Sequence, residues 1–358
     1  MAARKSIMDY IPTRGLPSGL ANWVIFALLA VWAGFSLFSL IWVVETSLRT
    51  DQSLFNSPWG LPLEPPKRSY VNRFWWQKVG PAWTAIDLPW HERFKPTETL
   101  VAQPWTQRLK PQWINYKIAW TIAKMGQYTA NSIIVTLSSV FCLVFISSMA
   151  AYAITKTEMR GSRLLFYYFL AGMAVPASLL LVPLFMTLRY FNIENLALFS
   201  VGDYWLIHIK DFYLIDSRLG LILIYTTLGI PFTVFVLTGF FRTLPTALAE
   251  SAAIDGASEY QTFWRIFLPL AKPGLITVAI FNFLYTWNEY QFALVFISNE
   301  KLKTLPVGLY SLAVATQHSN NWTALFAGLV ILMFPTLLLF VILENRITKG
   351  LTVGAIKA

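Results

Sequence analysis

The chain has 358 residues and a formal net charge of +10; 56% of it is hydrophobic and only 13% charged. A soluble domain runs nearer about 45–50% apolar and about 25% charged, so the surplus apolar surface excludes an ordinary water-soluble domain and points to a membrane protein. The basic residues flank apolar segments and form no long run, which excludes nucleic acid as a partner and assigns the charge to membrane topology.

A crossing helix needs about 20 largely apolar residues to span a hydrocarbon core of about 30 Å. Six stretches qualify: 22–44, 129–155, 164–187, 219–241, 275–297 and 324–343. An all-α integral membrane protein with six transmembrane helices is therefore expected. The tail 1–21 carries Arg4, Lys5 and Arg14. No small-residue cleavage site follows the first span, so it reads as an uncleaved anchor. Segment 45–128 comes next, and within it fall eight of the fifteen tryptophans and nine of the nineteen prolines. Proline at that density opposes long helices. An ordered, mostly irregular cap is expected, either packed on the membrane surface or offered to an external partner.

Beyond the cap, 129–343 reads as a core of spans two to six. Asn131 stands at the start of span two as a candidate helix cap, and Pro176, Pro183 and Pro231 as candidate bends in spans three and four. KTEMRGSR, between spans two and three, has Lys156, Arg160 and Arg163 in eight residues, and the tail 344–358 has Arg346, Lys349 and Lys357. The segments after spans three and five are poorer in cations. The positive-inside rule then puts both termini in the cytoplasm, together with the stretch between spans four and five, and the cap outside.

That stretch, AESAAIDGASEYQTFWRIFLPLAKPG, is too polar to cross a membrane. Pro245 suits a first helical turn. A short helix over 246–255 is clothed in small residues, so another surface can come close. Gly256 stands where a helix commonly ends with positive φ. Ser258 and Gln261 form a capping box that starts a second short helix, running to about 268. The predicted result is a bent helix pair, 245–268, beneath the membrane.

The spacing Glu250-x-Ala252-x3-Gly256-x9-Ile266-x-Leu268-Pro269 resembles the EAA signature of ABC importer permeases. The fuller ESAAIDGAS…FWRIFLPL is similar to the carbohydrate-uptake branch, of the smaller maltose-type subunit kind. Ser251 departs from the usual alanine but is still small. SLRTDQSLFNSPWGLP, NYKIAW, WNEYQFALVFISNEKLKTLPVGLYSL and ENRITKGLTVGAIKA resemble other parts of the family. The resemblance covers nearly the whole chain except two insertions, about 63–110 and 195–211. It implies a type I ABC importer permease fold in a bacterial or archaeal cytoplasmic membrane. It implies that Glu250, Ala252, Ala253, Asp255, Gly256, Ile266, Leu268 and Pro269 couple to an ATPase, and that Lys349, Gly350 and Gly354 in the tail touch it. It implies a second permease, two ATPase subunits and an extracytoplasmic binding protein as partners. ATP and Mg would then sit on the ATPases, with no cofactor in this chain.

Polar groups at membrane depth are costly and turn to a bundle interior or a cavity. Span five carries Asn282, Tyr285, Trp287, Asn288 and Glu289. Amides, an acid and aromatic faces together suit a sugar, so these five are the candidate substrate pathway; for Asn288 and Glu289 the competing role is a structural hydrogen bond to a neighbouring helix or a place near the outer end of the span. No HExxH, CxxC, Walker or GxSxG pattern occurs, and the single cysteine, Cys142, cannot form an internal disulfide. No catalytic site and no metal site are expected. The competing readings are an importer of a non-sugar solute, a secondary transporter, which would need buried ionisable residues in several spans, and an enzyme acting on lipid-linked sugars.

Overall fold

The computed structural model describes residues 18–56, 58–59, 68–71, 76–79, 82–85, 97–100, 112–157, 159–190, 193–201, 204–212, 214–319 and 321–355. They fall into two compact units, Met1–Ile118 with Ser319–Val330, and Ala119–His318 with Ile331–Ala358.

In the first unit, helix α1 (Ser18–Ser47) is apolar all round, and Leu28, Val31, Trp32, Phe35 and Ile41 are exposed along it. Such a helix is at home in lipid. Burial begins at its end, where Thr46 and Ser47 are enclosed. The chain then turns around Arg49, which is 2% exposed. Its guanidinium donates to Pro58 O and Ser53 O, both at 3.0 Å, and lies 3.5 Å from the Glu45 carboxylate. Asn115 Nδ2 donates to Ser47 O and Arg49 O, and Trp42 Nε1 donates to Pro58 O. A short helix α2 (Asp51–Asn56) follows, and Asp51 Oδ1 accepts the backbone N–H of Thr323 at 2.9 Å.

The cap holds more regular structure than its prolines predict. Strands β1 (Arg68–Val71) and β4 (Thr97–Leu100) pair antiparallel, as do β2 (Trp76–Val79) and β3 (Ala82–Ala85). The other insertion is a hairpin of β5 (Ile193–Val201) and β6 (Tyr204–Phe212), with an irregularity near Phe199. The fold is thus helical in its core, with two-stranded ribbons confined to the two insertions among the described residues. Helix α3 (Ile114–Lys117) precedes a π turn, Ile118–Ile122.

The second unit is built on α4 (Met125–Lys156) and α7 (Arg218–Thr243). The buried positions of α4 include Tyr128, Ser132, Val135, Ser139, Leu143, Ser147 and Ala151, a three-to-four-residue repeat that makes one helix face. Many are small, which lets helices approach closely in a membrane. One apolar cluster joins Val135, Leu221, Ile224, Tyr225, Phe292, Phe296 and Val307; a second joins Tyr152, Leu237, Phe241, Phe263, Phe267 and Val278.

Span three is bent by 90° between α5 (Ser162–Met173) and the 3-10 turn Ala177–Leu180 that leads into α6 (Leu181–Tyr190). Pro176 stands at this break, whereas Pro183 lies in the first turn of α6 and α7 runs on through Pro231. Proline pushes the residue before it away from helical geometry, which accounts for a break at 174–176.

Span five is shorter than the predicted 275–297. Helix α11 (Lys272–Asn288) stops at Glu289, whose backbone is extended, and α12 (Gln291–Phe296) starts anew. The Glu289 carboxylate accepts the N–H groups of Phe292 at 2.9 Å and Ala293 at 3.4 Å, satisfying the start of α12. A further helix, α13 (Leu305–Ser319), occupies what the sequence left as a loop. The last helix, α14 (Trp322–Ala355), continues past the predicted span end at 343. Among the described residues, four helices are long and apolar enough to cross a membrane, and six spans result if each of two bent pairs counts as one.

Candidate functional site

The predicted bent pair is present. Helix α8 (Ala247–Ile254) is followed by Gly256 at φ +74°. Gly256 N–H donates to Ala253 O at 3.0 Å and Ala257 N–H to Ala252 O at 2.9 Å. This is the paired bonding of a Schellman turn, which needs the left-handed backbone that glycine adopts without strain. The Ser258 side chain accepts from Gln261 N–H, and the Gln261 side chain accepts from Ser258 N–H, completing the capping box. Helix α9 (Glu259–Thr262) continues through a π turn, Phe263–Phe267, into α10 (Leu268–Leu270). A 74° bend then leads into α11.

The coupling residues divide by exposure. Ala252 is buried, and Ile266 and Leu268 are half-buried against the second apolar cluster, so these three moor the pair to the bundle. Glu250, Ala253, Asp255, Gly256 and Pro269 are exposed. A Cβ built on Gly256 meets nothing within 4 Å. Ile254, between these exposed positions, is 87% exposed. Sequence reasoning missed it, although its signal was legible: one branched apolar side chain directly after the small residues Ser251, Ala252 and Ala253. Two more contributors lie about a hundred residues away on α4. The Tyr152 hydroxyl donates to Glu259 Oε2 at 2.7 Å, and Lys156 Nζ donates to the Leu244 carbonyl.

The polar set of span five also divides. Asn282 is buried and donates to Thr233 Oγ1 at 2.9 Å and to Val278 O at 2.8 Å, tying α11 to α7. Trp287 is 1% exposed and donates to Leu332 O at 3.0 Å. Glu289 caps α12 and accepts the Tyr225 hydroxyl at 2.6 Å. Asn288 is exposed and donates to Leu284 O in its own helix, and Tyr285 is half exposed. Three of the five thus serve helix contacts or caps, while Tyr285 and Asn288 present surface. Among the described residues, no three His, Cys, Asp or Glu side chains are grouped so as to hold a metal.

Residues 143–353 match the model of the family described as binding-protein-dependent transport system inner membrane component. The chain belongs to this family. The diacetylchitobiose uptake system permease protein NgcG of Streptomyces coelicolor is 30% identical over 331 residues, 92% of this chain and 87% of that protein. The trehalose transport system permease protein SugB of Mycobacterium tuberculosis is 34% identical over 227 residues, 63% of this chain and 75% of that protein. A crystal structure of a bacterial ABC transporter involved in the import of the acidic polysaccharide alginate matches with a TM-score of 0.63 at 18% identity, over 94% of this chain and 99% of that one. This likeness supports the fold.

The chain is therefore a multi-pass inner-membrane permease subunit of an ABC importer, and its family implies ATPase and binding-protein partners. In this permease the far end of α4 is fastened by polar contacts too. Asn131 caps no helix, because α4 begins six residues earlier at Met125. Its amide instead donates to Lys301 O and Lys303 O. Asp216 Oδ1 accepts Ser298 N–H and Asn299 N–H, and Lys124 pairs with Glu300 at 3.0 Å. The Lys124 ammonium holds the Glu300 carboxyl below the usual carboxylate range. The helix backbone of α14 continues through Lys349, Gly350 and Gly354, whose side-chain surroundings lie outside the described residues.

Proposed function

We propose that this permease imports a sugar or oligosaccharide, that a related second permease completes the pathway as a heterodimer, and that two ATPase subunits dock beneath it on the pair α8–α10. The observation that carries the docking is the exposed tip: Glu250, Ile254 and Asp255 around a Gly256 with open space before it. Exposed apolar and acidic groups at a tight turn form a knob that fits a cleft. ATP and Mg belong to the ATPase subunits, and this chain carries no chemical step. Both termini face the cytoplasm, in keeping with the cations of the tails and of the α4–α5 turn. Sugar is the substrate class because permeases for diacetylchitobiose, trehalose and starch degradation products are among its relatives. Tyr285 and Asn288 line the path on this reading, and Asn282, Trp287 and Glu289 fix the helices around it.

The experiment is reconstitution with the second permease, the ATPases and the binding protein in proteoliposomes. The expected result is saturable, ATP-dependent accumulation of at least one of diacetylchitobiose, trehalose or a maltodextrin. Accumulation of a non-sugar solute with all three refused would overturn the sugar class. Glu250→Ala is expected to weaken ATPase retention about tenfold, the effect of removing one partner of an interfacial ion pair worth about 1–2 kcal/mol. Undiminished pull-down of the ATPase by this variant would remove Glu250 from the interface.

A further inference from the structure

We propose that Tyr152 and Lys156 are positioning residues that latch the second arm of the bent pair, and the linker that leads into the first, to span two, so that motion of the pair is delivered to a third span besides the two it is covalently joined to. This rests on the docking reading above.

The covalent path accounts for spans four and five alone. Helix α8 hangs from α7 through 244–246, and α10 runs into α11. Span two, α4, has no chain connection to the pair. Its end nevertheless holds the second arm, and the linker into the first, by specific atoms. Tyr152 is buried, with its ring centroid 5.2 Å from that of Phe263 and 5.3 Å from that of Phe267 in the second arm. A buried tyrosine hydroxyl needs a partner. Here the partner is the Glu259 carboxylate at 2.7 Å, in the first turn of that same arm. One turn further, the Lys156 ammonium donates to the carbonyl of Leu244, where α7 ends and the first arm begins. A helix end leaves carbonyls without intrahelical partners, and a cation is well placed to take one. The same ammonium lies 5.5 Å from the centroid of the Phe267 ring, a cation–π contact to the second arm.

Apolar packing alone lets helices slide. A hydrogen bond between named atoms does not, because sliding parts donor from acceptor and leaves the buried Tyr152 hydroxyl without its partner. Lys156 joins the linker above the first arm to the second arm, and Tyr152 fixes the register of the second. Span two therefore follows the pair as a unit.

The test uses the permease assembled with its ATPases. A cysteine at exposed Ala130, toward the outer end of span two, is introduced with Cys142→Ser, and labelling by a membrane-impermeant maleimide is timed with and without Mg-ATP. A second reporter at Leu223, on span four, serves as the comparison. Both positions are exposed. Mg-ATP is expected to change both rates by about fivefold, the low end of a usual coupling free energy. In Tyr152→Phe and in Lys156→Met, which keep the ring and the stem, the change at Ala130 is expected to disappear. The change at Leu223, ATP hydrolysis and ATPase retention persist. A purely structural role would move both reporters or neither. Persistence of the Ala130 response in both variants overturns the latch, as does an Ala130 site indifferent to Mg-ATP in the unsubstituted permease. Failure of the unsubstituted permease to retain the ATPase overturns the docking reading instead. Lys156→Arg, which keeps a cation at the carbonyl, is expected to restore the response.

Discussion

Gly256→Val is expected to abolish ATP-driven uptake while the permease remains in the membrane at its usual level. Gly256 sits at φ +74°, where a side chain costs about 1–2 kcal/mol and a β-branched one fares worst. The two turn hydrogen bonds to Ala252 O and Ala253 O depend on that backbone. The chain itself would tolerate the added atoms, since a Cβ there meets nothing within 4 Å. Two consequences follow. The spans, stabilised elsewhere by two apolar clusters, keep their fold, and the damage is confined to the shape of the knob and the surface it meets. Gly256→Ala is expected to be milder, retaining some uptake. The measurement is uptake into proteoliposomes together with pull-down of the ATPase. A Gly256→Val complex that transports normally and keeps its ATPase would reduce the pair to a connector.

Gly308→Ala is expected to lower the thermal midpoint of the detergent-solubilised permease by several degrees, and Gly308→Val to prevent its accumulation. Gly308 lies in α13, and a Cβ built there falls on the Tyr128 ring. Tyr128 is buried on α4, so it has no room to withdraw. Overpacking of this kind costs about 1–3 kcal/mol or more, against about 1 kcal/mol gained because alanine favours a helix over glycine. The clash outweighs the propensity. Removing the ring should reverse the sign: Gly308→Ala in a Tyr128→Ala background is expected to be no less stable than Tyr128→Ala alone. A Gly308→Ala protein as stable as the parent would mean that the two helices separate easily.

What the sequence made legible was local or periodic. The Ser258–Gln261 box, the glycine at the end of α8 and six apolar stretches all depend on neighbours within a few residues. Those features also located the exposed tip. The break at Glu289 was not legible, because its cause includes a hydroxyl on Tyr225, 64 residues earlier, and two N–H groups that a continuous span would have bonded internally. Span three reads as one apolar run, and Pro176 marked a candidate bend without giving its 90° size. Helix α13 hid because its apolar residues pack on spans two and four instead of extending to membrane length. The ribbons in the first insertion were obscured by proline, which speaks against long helices but not against strands of four residues. Asn282 and Trp287 were picked out as polar groups of span five, yet their partners on α7 and α14 lie outside any sequence window. Tyr152 gave no signal, since it is one tyrosine in an apolar helix until Glu259 arrives beside it.

The π turn at Phe263–Phe267 has a consequence for how this arm tolerates change in length. Deleting a residue from an ordinary α-helix swings everything beyond it by about 100° and draws it back about 1.5 Å. A π turn closes its hydrogen bonds over five residues and so holds one more than the α ladder requires. Losing a single residue there relaxes the turn to α geometry and leaves Leu268 and all of span five in the same orientation. Elsewhere in α11 the same deletion would turn Asn282 away from Thr233 and Trp287 away from Leu332. The second arm thus contains the site where a length mutation does least harm, and single-residue gaps among descendants of this chain are expected to collect there.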